Sequence, residues 1–107
     1  MTINSRDKGA RGEREWARFL YLLTEFETRR GQQFAGGPDS PDVVGGIPGT
    51  HCEVKRVEKM NIDKSMDQAI SDCGTKLPYV AHRKNHKAWL ITIRAADLLR
   101  FAELVRG

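Results

Sequence analysis

The sequence predicts a single α/β domain, residues 1–107, with helices flanking a mixed central sheet. Segments with a 3.6-residue apolar period near both ends and in the middle read as amphipathic helices. Between them lie short runs of β-branched and aromatic residues, bounded by glycine- and proline-rich turn chemistry. At 107 residues the chain is long enough for one modest core and no more.

Residues 1–8 are polar and are expected to form a flexible N-terminal arm. From about Gly9 to Arg29 the spacing is helical, with Trp16, Ala17, Phe19, Leu20 and Leu23 on one apolar stripe. Arg30-Gly31 ends that helix, and Gln32 to Ala35 fits a short strand. Gly36-Gly37-Pro38-Asp39-Ser40-Pro41 is a turn. Strands follow near 42–44 and 50–57, joined through glycines 45, 46 and 49. A second helix, about Ile62 to Cys73, aligns Ile62, Met66, Ala69, Ile70 and Cys73, with Asn61 or Asp63 as its cap and Gly74 as its stop. Strands at 79–82 and 88–93 flank the polar turn Arg83-Lys84-Asn85-His86-Lys87. A last helix, about Ala95 to Val105, is expected to bury Leu98, Leu99, Ala102 and Val105.

The net charge is +4, with a pI near 9.3. That balance suits a polyanionic partner and is also met in ribosomal, structural and enzymatic proteins. No apolar run approaches the roughly 20 residues of a membrane span, and the polar start carries no secretory signal. The two cysteines, Cys52 and Cys73, stand singly in apolar patterns. They read as reduced core residues of a cytoplasmic protein, with a zinc site that includes His51 or His82 as the alternative.

Three acids and one amine carry the chemistry. In His51-Cys52-Glu53-Val54-Lys55-Arg56-Val57 alternate side chains face opposite sides, so Glu53 and Lys55 share one face and Cys52 and Val54 the other. A hairpin between the 42–44 and 50–57 runs brings Asp42 beside Glu53. Two carboxylates and an ammonium there form a site for a divalent metal and an activated water; a solvated salt bridge is the plainer reading of an isolated Glu-x-Lys. Glu13 precedes Trp16, Ala17 and Leu20 by three, four and seven residues, so it continues the apolar stripe. A carboxylate there is costly to bury unless paired or metal-bound, although negative charge is also favoured near a helix N-terminus. Glu15 points elsewhere and reads as solvated.

Gly12-Glu13, Pro41-Asp42 and Glu53-Val54-Lys55 together resemble the PD-(D/E)XK nuclease superfamily, and within it the archaeal and phage-type Holliday junction resolvases. The resemblance runs from Gly9 through the final helix. It implies a restriction-endonuclease-like core of order αβββαβ. It further implies Asp42 and Glu53 as ligands of Mg²⁺, the Val54 carbonyl as a third, and Glu13 as an inner or outer contributor. Lys55 would orient or deprotonate the attacking water and offset charge on the phosphorane-like transition state. Asp39 lies in the same Asp-Ser-Pro-Asp run; Asp42 is preferred because it leads directly into Val43-Val44.

Oxygen ligands and a hard cation suit phosphodiester hydrolysis, because charge builds on phosphate oxygens while coordinated water stays available. Mn²⁺ is expected to substitute, Ca²⁺ to bind without turnover, and no small-molecule cofactor is expected. The resemblance implies a homodimer on branched or duplex DNA, in the cytoplasm (the host's, if phage-encoded), since resolution needs two symmetric nicks. A flap, nicking or viral-type replication-repair nuclease of the same superfamily stays open, as does a catalytically inactive DNA-binding module.

Gln68 occupies a place where related nucleases carry a helix glutamine in the site, yet it lies off the helix's apolar stripe and also reads as a surface residue. Arg6, Lys8, Arg11, Arg14, Arg29 and Arg30 are candidates for contacting the phosphate backbone, as are Arg83, Lys84 and Lys87 at a hairpin tip. Arg56 alternates away from Lys55, toward the opposite face or DNA. His82-Arg83-Lys84-Asn85-His86 fails as an HNH nuclease site because a strand containing Trp89, not a helix, follows it. Trp16 fits core packing, and Trp89 core or interface; the Trp89 strand and the last helix are the candidate dimer surfaces.

Overall fold

Trp16 and Leu20, one helical turn apart, are both buried and fix how the first helix lies on the sheet. The computed structural model describes residues 5–30 and 43–107, and only the backbone at 5–9, 28–30 and 43–45. The first helix, α1, spans Ser5–Thr24. Residues 5–8, expected in a loose arm, are therefore helical, and the expected end at Arg29 is five residues too late. Thr24 stops the helix by donating its hydroxyl to the Leu20 carbonyl at 2.7 Å and accepting the Phe26 N–H at 3.2 Å. Glu25 then takes a left-handed φ of 65°. Residues Thr28–Arg30 form strand β1. Leu23 and Phe19, expected on the buried stripe, face outward, because the sheet meets α1 along Gly12, Trp16 and Leu20.

Gly12 is required by space. A Cβ there would lie 2.6 Å from Arg56 Cβ, so a larger residue would push α1 off the sheet. Strand β2, Val43–Gly45, pairs antiparallel with β1, Thr28 opposite Gly45 and Arg30 opposite Val43. Its ladder partner is therefore β1 and not the following strand, as the expected hairpin had it. The link onward turns at Gly46 and Gly49, with φ of 78° and 76°. It buries Ile47, whose carbonyl accepts the Thr50 hydroxyl at 2.6 Å. The expected strand at 32–35, the turn at 36–41 and Asp42 lie outside the described residues.

Strand β3, Thr50–Arg56, and strand β4, Leu77–Arg83, run parallel. A parallel pair needs a crossover, and helix α2, Ile62–Asp72, supplies it. Asn61 caps α2 by accepting the Lys64 N–H at 3.0 Å, and Gly74, φ 57°, follows its end. Strand β5, Leu90–Thr92, adds antiparallel to β4, giving a mixed sheet of order β3-β4-β5. Leu77 through Ala81 are all buried, as the middle strand of a sheet covered on both faces demands.

One face of this sheet packs Cys52, Val54, Tyr79 and Ala81 against Trp16 and Leu20. Trp16 lies 5.3 Å from Trp89 and 6.3 Å from Tyr79, centroid to centroid, and Tyr79 lies 5.6 Å from Phe101. Burial pushes the Tyr79 phenol far above its ordinary range, with Cys52 adding to the shift, so it stays neutral. After a 3₁₀ turn at Ala95–Asp97, helix α3 spans Leu98–Arg106. It meets the core through Phe101, Leu104 and Val105. The expected stripe was misplaced: Leu98 and Leu99 are 60% and 79% exposed, and Ala102 is also outside. Apolar residues lie most of the way round α3, so spacing does not choose the buried side; packing against Tyr79 and the core does. Both cysteines are free thiols, Cys52 buried and Cys73 half-buried.

Candidate functional site

Strand alternation sorts β3 into an apolar face and a chemical one. Cys52 and Val54 enter the aromatic core, while His51, Glu53 and Lys55 face the other way, toward α2. Glu53 is 2% exposed. Its neighbour across the ladder is the fully buried Val80, and Lys55 stands beside His82. The adjoining α2 buries Ser65 and Ala69.

The donor atoms of His51, Glu53 and Asp72 all lie within 4.8 Å of one another. Asp72 is the last residue of α2, where the helix dipole disfavours a carboxylate. Together the three residues offer a divalent cation two carboxylate oxygens, one from a buried residue and one from an exposed one, and an imidazole nitrogen. The set fits a divalent metal. Two oxygens accept Mg²⁺ or Mn²⁺, and the imidazole nitrogen tilts preference toward Mn²⁺ and other transition metals.

Asp72 was not among the sequence candidates, and His51 was one only as an alternative zinc ligand beside the cysteines. His51 had a readable signal, standing two residues before Glu53 on the same strand face. Asp72 had none, since only the crossover geometry carries the end of α2 back over β3. Gln68 is exposed on α2, one helical turn before Asp72 and so on the same side of the helix.

Glu13 is half-buried on α1, next to the close contact of Gly12 with Arg56. It comes from the helix covering the Cys52 and Val54 face and is not part of the His51, Glu53, Asp72 group. Asp42 lies outside the described residues, and β2, which follows it, pairs with β1.

Glu15, expected to be solvated, holds two of the candidate DNA-contacting arginines. Its Oε2 accepts Arg56 Nε at 3.0 Å and Arg83 Nη1 at 3.4 Å. Arg56 also donates to Asn85, and Arg83 Nε donates to the Lys87 carbonyl at 2.7 Å. Both guanidiniums thus brace the β4–β5 turn against α1. Arg11, Arg14, Lys84 and Lys87 are exposed; the side chains of Arg6, Lys8, Arg29 and Arg30 lie outside the described set. His82 Nε2 is 2.9 Å from Thr92 Oγ1, while His86 sits in the turn at φ 60°, so the two histidines serve different local structures. Among the described residues, no cysteine joins a metal-binding group.

Among solved structures the chain is similar to Hjc of Archaeoglobus fulgidus, a Holliday junction resolvase from an archaeal hyperthermophile. The TM-score is 0.58 and the identity 23%, over 78% of this chain and 73% of that one. The two chains share a fold. The restriction-endonuclease-like architecture expected from the resemblance is thus the architecture observed. Neither protein-family models nor curated protein sequences match this chain. No helix among the described residues is long and apolar enough to cross a membrane.

Proposed function

We propose that this protein is a metal-dependent, structure-selective DNA endonuclease that resolves four-way junctions by paired phosphodiester hydrolysis. One observation carries the reading. A buried carboxylate, Glu53, sits two residues before a lysine on a strand face, with His51 and Asp72 at ligand distance, in a chain that shares its fold with a junction resolvase. Glu53 would hold a divalent cation, with His51 and Asp72 from this group and Asp42, the Val54 carbonyl and Glu13 from the superfamily pattern. Such a cation polarises a phosphate oxygen and acidifies bound water. Lys55 contributes a fixed positive charge on the same face, beside the oxygens where negative charge accumulates. Gln68, exposed one helical turn before Asp72, would use its side-chain amide to orient a water or a phosphate oxygen. Lys84, Lys87, Arg11 and Arg14 provide phosphate contacts that fix register without reading sequence.

Two symmetric nicks need two sites, so the working unit is an isologous dimer. Its contact would fall on one of two exposed apolar surfaces, Leu98 and Leu99 of α3 or Leu90 and Ile91 of β5. The reaction belongs to the cytoplasm, where nucleic acid is the accessible polyanion.

The test is cleavage of synthetic four-way junctions, flaps and linear duplexes with Mg²⁺, Mn²⁺ or Ca²⁺. Paired symmetric nicks in junctions with Mg²⁺ and Mn²⁺, and binding alone with Ca²⁺, are expected. Glu53→Ala and Lys55→Ala should each lower cleavage by roughly 10²-fold or more while junction binding persists. Unchanged cleavage in Glu53→Ala overturns the site, preferential flap trimming overturns resolution, and no metal-dependent cleavage of any DNA leaves only a binding role.

A further inference from the structure

A cavity of about 660 Å³ opens at the carboxyl ends of β3 and β4, and the metal chemistry above does not use it. Its walls come from the segment that leaves β3, the turn after β4 and the start of β5. Carboxyl ends of parallel strands are where open α/β sheets place ligands. Lys59, Lys84 and Lys87 stand on its rim, while Met60, Ala88 and Leu90 give it an apolar floor. Among the described residues the one acid on its wall, Glu58, accepts the Asn85 backbone N–H at 3.0 Å. His82 also lines the cavity and is the ladder neighbour of Lys55, so the space lies one strand to the side of that amine, on the same sheet face.

A ligand that matches this surface has a flat apolar body and an anionic backbone. The volume falls within the roughly 300–1,000 Å³ typical of small-ligand sites. A base stacked and paired in duplex cannot present its face to the floor. An unpaired base at a branch can, because unstacking costs least there. We propose that the cavity takes one unstacked nucleotide of the DNA next to the cleaved phosphate, its base on Met60, Ala88 and Leu90 and its phosphates on the three lysines. This rests on the nuclease reading and gives it a basis for selecting branched DNA: the substrate must offer a base that can swing out.

The experiment places a single 2-aminopurine, bright when unstacked, at each position flanking the branch of a four-way junction. Binding is followed in Ca²⁺. The wild-type protein should brighten one position, and a linear duplex should stay dark. Ala88→Trp, a change at an exposed residue that fills the cavity, should abolish the brightening while the circular dichroism and melting temperature hold. Lys84→Gln combined with Lys87→Gln leaves the floor intact and should lower the salt slope of junction binding by about 2. Tight junction binding with no bright position, or brightening that survives Ala88→Trp, overturns the cavity's role and leaves the nuclease reading standing. If the protein binds no junction, that reading falls, and the cavity is judged by amide shifts with a single-stranded trinucleotide. Shifts confined to 57–60 and 84–90 support it, and none there overturn it.

Discussion

The two faces of β3 divide the work of the molecule. Cys52 and Val54 lie under Trp16 and beside Tyr79, in a face built from aromatic contacts and closed by α1 and α3. One residue away, His51, Glu53 and Lys55 face α2 with charged and titratable groups. The strand is the same and its backbone ladder to β4 is continuous, so the contrast arises wholly from side-chain alternation. The apolar face supplies burial of aromatic and aliphatic surface, while the other face holds a carboxylate out of water.

Perturbing one face should leave the other's property largely intact. The largest effect on stability is expected from Trp16→Ala, which empties the centre of the aromatic cluster and should cost about 3–5 kcal/mol in urea unfolding. Metal affinity, measured where the variant is still folded, should change little; a large parallel loss would show that the faces are coupled. Gly12→Ala crowds Arg56 Cβ and should cost about 1–3 kcal/mol by overpacking. Because it also moves Glu13, it should lower cleavage more than its stability loss explains. Normal activity in a folded variant would separate α1 from the chemistry.

Glu15→Gln leaves Arg56 and Arg83 without their shared charge. These groups are partly exposed, so a loss of only about 0.2–1 kcal/mol is expected, together with stronger non-specific DNA binding at low salt. No gain in DNA affinity would mean that the freed arginines do not face the substrate. The smallest effect is titration of His82, whose pKa burial lowers from its ordinary 6.5. In that window the unfolded chain binds more protons, so stability should fall slightly as pH drops below about 6.5. His82→Gln should flatten this part of the pH profile of the urea midpoint, and an unaltered profile would assign it to another group.

The legible part of the fold was whatever rests on local periodicity. Alternation from His51 to Arg56 assigned each side chain of β3 to its face, and Asn61 and Gly74 marked the ends of α2 as their capping chemistry requires. Phase and pairing were less legible. The run through Arg29 keeps helical spacing, and only Thr24 and Glu25 end it, through side-chain bonding and a left-handed φ that spacing does not encode. In α3, apolar residues lie most of the way round, and the core took Phe101, Leu104 and Val105 rather than Leu98 and Leu99. β2 found β1 as partner because strand pairing is a tertiary choice. In the site, Glu53 and Lys55 were readable as a pair on one strand. Asp72 enters by crossover geometry and leaves no trace in local sequence.

Glu15 has a mechanical consequence. A single carboxylate holds one arginine from the end of β3 and another from the end of β4, so it links α1 to both strand ends. The turn carrying Lys84 and Lys87 is supported from that link, and Arg83 donates to its far side at the Lys87 carbonyl. On the proposed function, that support would hold the two ammoniums at a set span from Glu53, as the jaws of a calliper are held, and so favour a backbone bent to fit the gap.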